Sequence, residues 1–377
     1  MNFKTLVLGS AAALMTVAGA QAADLPAEPV DYVRVCDAYG SGFYYLPGTD
    51  TCLRVGGRVR ADYRYIDADT EGGDENDLDF RARSYFRLDA RTQTDFGLLR
   101  AYSSVYFTVT DNGSVSTTLE AGFVQWGGFT FGRVAGGFFY PTWGGHYSFA
   151  SEFGVPDNYE DTNVLAYTFD VGNGVSATVA LEDANGIPAD TLPILVGKVV
   201  VNQSWGTFDL SGAVGEGATT GSDDTGFAIG AGLEVNVPVA GANDRVGVYV
   251  LYADDLAEYS AFEDYQIASA ASISNSDLND ADAEIFHVSA GFLHFFSSDV
   301  SLAISGSYSD VDVNVVGSDI EAYSAAATLS WTPVSGLVVG LEAYWQHAEI
   351  DAPVTINGIT DDEFDVYGGV FRVQRTF

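Results

Sequence analysis

Leu53–Arg64 (LRVGGRVRADYR) and Phe80–Arg91 (FRARSYFRLDAR) are the two segments from which the architecture can be worked out. In each segment the arginines share one parity of residue number, and mainly apolar residues occupy the other parity. A period of two is typical of a β-strand with two unlike faces, because successive side chains point to opposite sides. We therefore predict two strands with one apolar face and one face of guanidinium groups, which stay charged in proteins.

The first 22 residues are interpreted as a secretory signal peptide, because Lys4 precedes an apolar run from Leu6 to Ala20 and a small-x-small cleavage site ends at Ala22. An exported chain meets an oxidising compartment, so Cys36 and Cys52 are predicted to form a disulfide rather than remain free thiols. The expected organisation is a signal peptide at 1–22, a periplasmic amino-terminal segment at 23–52 with the disulfide, and a barrel at 53–377.

Composition excludes both a disordered acidic protein and a helical membrane protein. The formal net charge is −36, but 13% of the residues are aromatic, which a disordered acidic chain would lack. After residue 22 no run of eighteen apolar residues occurs, so transmembrane helices are not expected. The apolar residues instead alternate with polar ones in segment after segment.

This alternation continues to the carboxyl terminus and divides the chain into sixteen predicted strands, separated in turn by short turns and long acidic loops. Such a pattern indicates an all-β fold, a 16-stranded antiparallel transmembrane β-barrel. The acidic loop residues are expected to be solvated rather than to bind calcium; they include Glu258, Glu263, Asp264, Asp277, Asp280, Asp282 and Glu284. A soluble β-sandwich is the less consistent alternative.

The energetics of lipid contact predict which way the arginines point. One arginine on the lipid face near the membrane midplane costs about 2–4 kcal/mol, so the arginine face must line the lumen. The predicted basic wall of the pore consists of Arg54, Arg58, Arg60, Arg64, Arg81, Arg83, Arg87, Arg91, Arg100 and Arg133. Arg133 shares parity with the outward Phe129 and Phe131, so we expect a bend near Gly132 to turn it inward.

Like charges packed this densely require carboxylates nearby, and the segment after Arg133 is the predicted source. It interrupts the alternation with glycines and aromatic residues and becomes acidic towards its end. We predict that this third loop folds into the barrel, with Glu152, Asp157, Glu160 and Asp161 facing the arginines. An outward loop like the others is the alternative.

Three segments near the amino terminus, Val35–Gly40, Tyr44–Thr49 and Thr51–Gly57, resemble the start of mature alphaproteobacterial outer-membrane porins. Phe377 resembles the assembly signal of outer-membrane barrels, although Arg375 departs from the usual pattern. The segment Phe129–Arg133, followed by Glu152-Phe153-Gly154, is similar to the approach to the constriction loop of general porins.

The resemblance implies a homotrimer in the outer membrane that lets small hydrophilic solutes and ions diffuse passively through a water-filled channel. The protein is expected to contact membrane lipids and to bind no cofactor, metal ion or nucleic acid. A modest cation preference is expected from the acidic loops.

Two other classes of function stay open: an outer-membrane barrel enzyme, and a structural or adhesive surface protein. The four histidines, His146, His287, His294 and His347, show no nucleophile motif or metal-ligand spacing.

Overall fold

The computed structural model describes residues 34–69, 75–149, 155–183, 192–216, 225–238, 243–262, 278, 283–313, 318–350 and 363–377. The predicted signal peptide and residues 23–33 lie outside the described residues. Within the described ranges no helix is both long and apolar enough to span a membrane.

In the described ranges the chain forms one short strand, β1, and sixteen longer ones, β2–β17. Their bounds are β1 Tyr44–Tyr45, β2 Cys52–Asp69, β3 Glu75–Thr94, β4 Gly97–Thr110, β5 Ser116–Trp126, β6 Phe129–Val134, β7 Thr162–Gly172, β8 Val175–Glu182, β9 Ile194–Gln203, β10 Gly206–Glu216, β11 Thr225–Asn236, β12 Arg245–Asp254, β13 Ala283–Phe295, β14 Val300–Val313, β15 Ser318–Val334, β16 Leu337–Ile350 and β17 Glu363–Thr376.

The sixteen longer strands close into an antiparallel barrel, which confirms the predicted fold. Each pairs with its neighbour in the chain, and β17 pairs with β2, where Val370 lies opposite Arg64. The backbone N–H of Phe377 donates to Gly57, and the N–H of Gly57 donates to Phe377, both at 3.0 Å. Closure pairs the backbone groups of the first and last barrel strands, which would otherwise remain as open edges.

The two faces of the wall differ as the period of two predicts. Large apolar side chains are exposed on the outside, among them Val59 at 50%, Phe86 at 54% and Leu341 at 56%. Their neighbours of opposite parity, such as Arg60 and Glu342, are buried inside. An apolar outer face is what contact with lipid requires.

The two ends of the barrel are different. At the turn end, short connections such as the one between β3 and β4 join the strands; the loop end carries the longer connections, the first of them between β2 and β3. In the tight turn between β7 and β8, Asn173 and Gly174 have φ of 53° and 73°, a conformation that favours Asn-Gly.

The amino-terminal segment packs at the turn end, where β2 begins. Strand β1 pairs with Leu53 and Cys52, and Cys36 is bonded to Cys52 with their Cα atoms 6.0 Å apart. Phe43 is buried beside this disulfide. The predicted disulfide is therefore confirmed.

Candidate functional site

The third loop-end connection, between β6 and β7, folds into the barrel as predicted. Its described residues, 135–149 and 155–161, are called here the inward loop. Phe139 and Val155 are almost fully buried. Three carboxylates of the barrel wall accept hydrogen bonds from its backbone: Glu182 from Phe138 at 2.6 Å, Asp209 from Thr142 at 3.1 Å and Glu342 from Phe149 at 2.9 Å.

A second segment, residues 255–262 after β12, also lies inside the barrel. Tyr259 packs its ring 4.8 Å from that of Phe139, and its hydroxyl donates to Glu182 at 3.1 Å. Glu258 is only 6% exposed, so the expectation that it is solvated is wrong. The physical reason is that Leu256 and Phe262 are fully buried and carry this part of the connection inward. Of the other acids in that prediction, Glu284 is exposed and the following lie outside the described residues: Glu263, Asp264, Asp277, Asp280 and Asp282.

A cavity of about 600 Å³ remains between the inward loop and the wall formed by the first strands. Glu120, Tyr140, His146, Asp157 and Tyr159 lie among its lining residues. Six arginines also line it: Arg58, Arg60, Arg81, Arg83, Arg87 and Arg372. Five of the ten arginines predicted for the basic wall therefore meet at this cavity, together with Arg372, which was not predicted.

Asp62 lies at the centre of a charge cluster on the inward face of this wall, next to the cavity. It is 1% exposed and contacts three guanidinium groups, those of Arg372 at 2.6 Å, Arg81 at 2.8 Å and Arg60 at 3.4 Å. Arg81 and Arg372 lie directly opposite Asp62 on the two neighbouring strands. One carboxylate therefore offsets part of the repulsion among three buried cations.

Aromatic rings support the other arginines of the cavity. The guanidinium of Arg58 lies 4.0 Å above the ring of Tyr85, and that of Arg87 lies 5.4 Å from it. Arg83 lies 4.5 Å above Tyr106 and donates to Thr108 at 2.8 Å. The negative face of each ring attracts the cation and also limits its rotation.

The remaining predicted arginines lie elsewhere. Arg64 forms two 2.6 Å hydrogen bonds to Asp79. Arg91 and Arg100 share Asp89 near the turn end, and Arg54 contacts Phe43 of the amino-terminal segment. Arg133 donates to the carbonyl of Leu119 at 3.0 Å, beyond Gly132, whose φ is 121°. The structure does not bring these five to the cavity.

The four acids predicted for the inward loop differ in position. Asp157 lines the cavity and accepts hydrogen bonds from Tyr140 at 2.9 Å and from the backbone of Tyr159 at 3.3 Å; His146 lies 3.1 Å away. Glu160 is exposed. Burial raises the pKa of the Asp161 carboxyl to about 6, although Arg133 acts in the opposite direction. Glu152 lies outside the described residues.

Glu120 is a lining residue that the sequence reasoning missed. The register between β4 and β5 shifts so that Glu120 has no partner opposite it, and this β-bulge lets both Glu120 and Ala121 be buried. Its carboxylate accepts from Ser104 and lies 3.5 Å from Arg87. No alternation pattern reveals a bulge. Asp62 and Arg372, by contrast, could have been found, because each shares parity with inward residues of its strand.

The histidines offer no accessible nucleophile pair among the described residues. Ser309 lies 2.8 Å from Nδ1 of His287, a spacing that would suit a nucleophile and its base. Both residues are almost fully buried, so a substrate could not reach the hydroxyl.

One group in the described part of the chain could hold a metal ion, His347 with Glu363 and Asp365, whose ligand atoms lie within 4.8 Å of one another. Both ring nitrogens of His347 already lie 3.2 Å from carboxylates, of Asp365 and Glu349. This group is on the outer face at the loop end. There, four carboxylates face one another across β14–β17: Asp310, Glu321, Glu349 and Glu363.

Sixteen antiparallel strands closed around a polar lumen, narrowed by the third loop, define the class of large β-barrels of outer membranes. The family model of a porin subfamily matches residues 23–369, and the chain belongs to that porin family.

Known proteins similar to this chain include porin Omp2a of Brucella abortus, which is 37% identical over 217 residues. That match covers 55% of this chain and 60% of the relative. Among solved structures, the outer membrane channel DcaP of Acinetobacter baumannii has a TM-score of 0.66 at 14% identity, covering 88% of this chain and 99% of that chain. The trimer form of Vibrio cholerae OmpT has a TM-score of 0.55 at 12% identity, covering 87% and 100%.

Proposed function

We propose that the protein is a water-filled channel of the outer membrane through which small hydrophilic solutes and ions diffuse passively. The observation that carries this proposal is the polar cavity of about 600 Å³ inside the barrel, bounded by arginines on one side and by the inward loop on the other. Membership of the porin family supports it. Solutes would align their dipoles between the basic wall and the acidic groups opposite, and large or apolar solutes would be rejected.

The proposal places the narrowest section at Arg58, Arg60, Arg81, Arg83 and Arg87, with Asp157 on the facing loop. Arg64, Arg91 and Arg100 contact carboxylates of the wall, and we assign them to its stability. Arg54 is assigned to packing of the amino-terminal segment, and Arg133 to the base of the inward loop.

Three further features belong to this proposal. The first 22 residues direct export, and residues 23–52 lie on the periplasmic side, since the amino-terminal segment packs at the end with the short turns. Phe377 acts as the assembly signal; its ring is 62% exposed, so it is accessible to a partner. The protein is a homotrimer, which the existence of a trimeric OmpT with the same fold supports.

We further propose that the protein catalyses no reaction. The burial of the Ser309–His287 pair supports this, because a nucleophile needs access to its substrate.

Conductance with site-directed thiol labelling tests the channel. In planar bilayers we expect open channels, and a water-soluble charged thiol reagent should reduce the conductance of an Arg58→Cys variant. Val59→Cys is the matched control, because Val59 is the next residue on the same strand and is exposed on the outer face. Folded protein that stays electrically silent would refute the channel, and equal labelling of both variants would refute the placement of Arg58.

A further inference from the structure

We propose that the cavity contains a binding site for anionic solutes with carboxylate or phosphate groups, in which Arg58 and Arg60 supply the hydrogen-bond donors. The inference rests on the proposed function, because a solute reaches these residues only through the channel. It adds a class of preferred solute and reverses the selectivity that the overall charge of the chain would suggest.

Arg58 has unused donors. Its guanidinium stacks on Tyr85 at 4.0 Å, a contact that occupies the flat face of the group and leaves its N–H bonds, which lie in the plane, directed past the ring. Its buried Nε makes no hydrogen bond, and none of its nitrogens pairs with a carboxylate within the described ranges. Planar donors held in one orientation are what bidentate recognition of an oxyanion requires.

Arg60 is more deeply buried and only weakly neutralised. It is 8% exposed, and its Nε, which makes no hydrogen bond, lies 3.4 Å from an Asp62 oxygen. That carboxylate is bonded more closely by Arg81 and Arg372. An arginine remains protonated at neutral pH, so Arg60 stays a cation there. An anion entering the cavity would supply the missing acceptor.

The facing surface leaves few acceptors for a cation. The carboxylates that line the cavity within the described residues, Glu120 and Asp157, already accept hydrogen bonds. Even when Asp62 is counted with them, the six guanidinium groups of the lining outnumber these carboxylates. The local electrostatic potential is therefore positive, although the chain carries a net charge of −36.

Screening explains how a positive site can exist in an acidic protein. In 0.1 M salt the Debye length is about 10 Å, so charges at the outer rim of the loop end act weakly on a cavity deep in the lumen. Positions two residues apart on a strand are separated by about 6.7 Å, so the flexible guanidinium groups of Arg58 and Arg60 can both donate to one phosphate, or to the two ends of a small dicarboxylate. At salt concentrations of 0.1 M or higher, the arginines of the cavity should therefore set the ion selectivity and favour anions.

The experiment is a reversal potential in a KCl gradient, followed by titration of the chloride current with inorganic phosphate and with succinate. We expect chloride to permeate better than potassium, and both probes to block the current saturably. In Arg58→Gln and in the double variant R58Q/R60Q the block should weaken at least about tenfold, which corresponds to about 1.4 kcal/mol.

Arg54→Gln is the matched control, because Arg54 lies on the same face of the same strand but contacts Phe43 outside the cavity. The single variant R58Q keeps the test valid if loss of Arg60 impairs folding, since Arg58 makes no ion pair within the described residues. Cation selectivity of the unmodified channel would overturn the inference, as would block that is unsaturable or equally weakened by R54Q. A channel that conducts without preference refutes only this inference, whereas a silent one refutes the proposed function itself.

Discussion

Replacing Asp62 by Asn should destabilise the barrel more than any other single change of charge in the basic wall. The Asp62 carboxylate contacts Arg60, Arg81 and Arg372 at once. The variant keeps the size of the side chain but removes its charge. Three buried cations would then face one another without this counter-ion.

The magnitude follows from these contacts. Charge centres about 4 Å apart attract by about 4 kcal/mol at an effective dielectric of 20, and three such pairs are lost together. Part of that attraction offsets the cost of burying Asp62, which the variant no longer bears. Breaking a buried pair by removing one partner costs about 3–5 kcal/mol, and we expect the D62N variant to lose stability in that range.

The assay is urea unfolding of the protein in lipid vesicles, followed by the heat-modifiable shift on electrophoresis and by tryptophan fluorescence. The double variant D62N/R372Q should recover part of the loss, because it also removes one unpaired cation. Asp79→Asn is the comparison with a single partner, since Asp79 contacts Arg64 alone among the cations of the described residues. A D62N variant within about 0.5 kcal/mol of the unmodified protein would refute the reasoning, because changes of that size are typical of surface substitutions.

Three other perturbations have defined outcomes. Glu342→Gln weakens the acceptor for Ser148 and Phe149 of the inward loop, so single-channel records should show larger current fluctuations; the outward neighbour variant Leu341→Ala should not, and equal noise in both would contradict the anchoring role. Cys36→Ser with Cys52→Ser removes a link between residues 16 apart and should cost about 3 kcal/mol in unfolding experiments while leaving conductance unchanged, since the bridge lies at the turn end. Between pH 7 and 5, protonation of Asp161, whose pKa burial raises to about 6, removes a negative charge near Glu120, Glu160 and Arg133; anion selectivity should rise as pH falls, and Asp161→Asn should abolish that step. Folding stability changes in the same range. Because the folded state holds the Asp161 proton more tightly than the unfolded state, the free energy of unfolding falls as the pH rises through that pKa. A pH titration of the reversal potential that is identical in both proteins would exclude Asp161 as its source.

The electrostatic design separates charges by location. Carboxylates within the strands stabilise the arginines of the wall, as Asp62, Asp79 and Asp89 do. Other carboxylates lie exposed at the rim, where Glu349 and Glu363 face each other on the outer surface. Overall net charge is therefore a poor guide to the potential in the lumen.

Alternation alone determined the larger part of the fold. Because a strand turns successive side chains to opposite faces, the parity of Arg58, Arg60 and Arg83 was sufficient to predict strands, an apolar outer surface and an inward basic face. The disulfide followed from export, and the inward third loop from its loss of alternation. These are local properties, which the residue order carries directly.

Only the tertiary structure decided which charges meet. Asp62 and Arg372 are 310 residues apart and become neighbours because the last strand closes on the first. The bulge at Glu120 and the inward course of residues 255–262 depend on packing against distant strands, which no pattern of period two contains. Barrel closure and loop insertion are long-range events, and so the sequence predicted an arginine face, whereas the choice of Arg58 and Arg60 as the arginines with free donors at the cavity came from the folded chain.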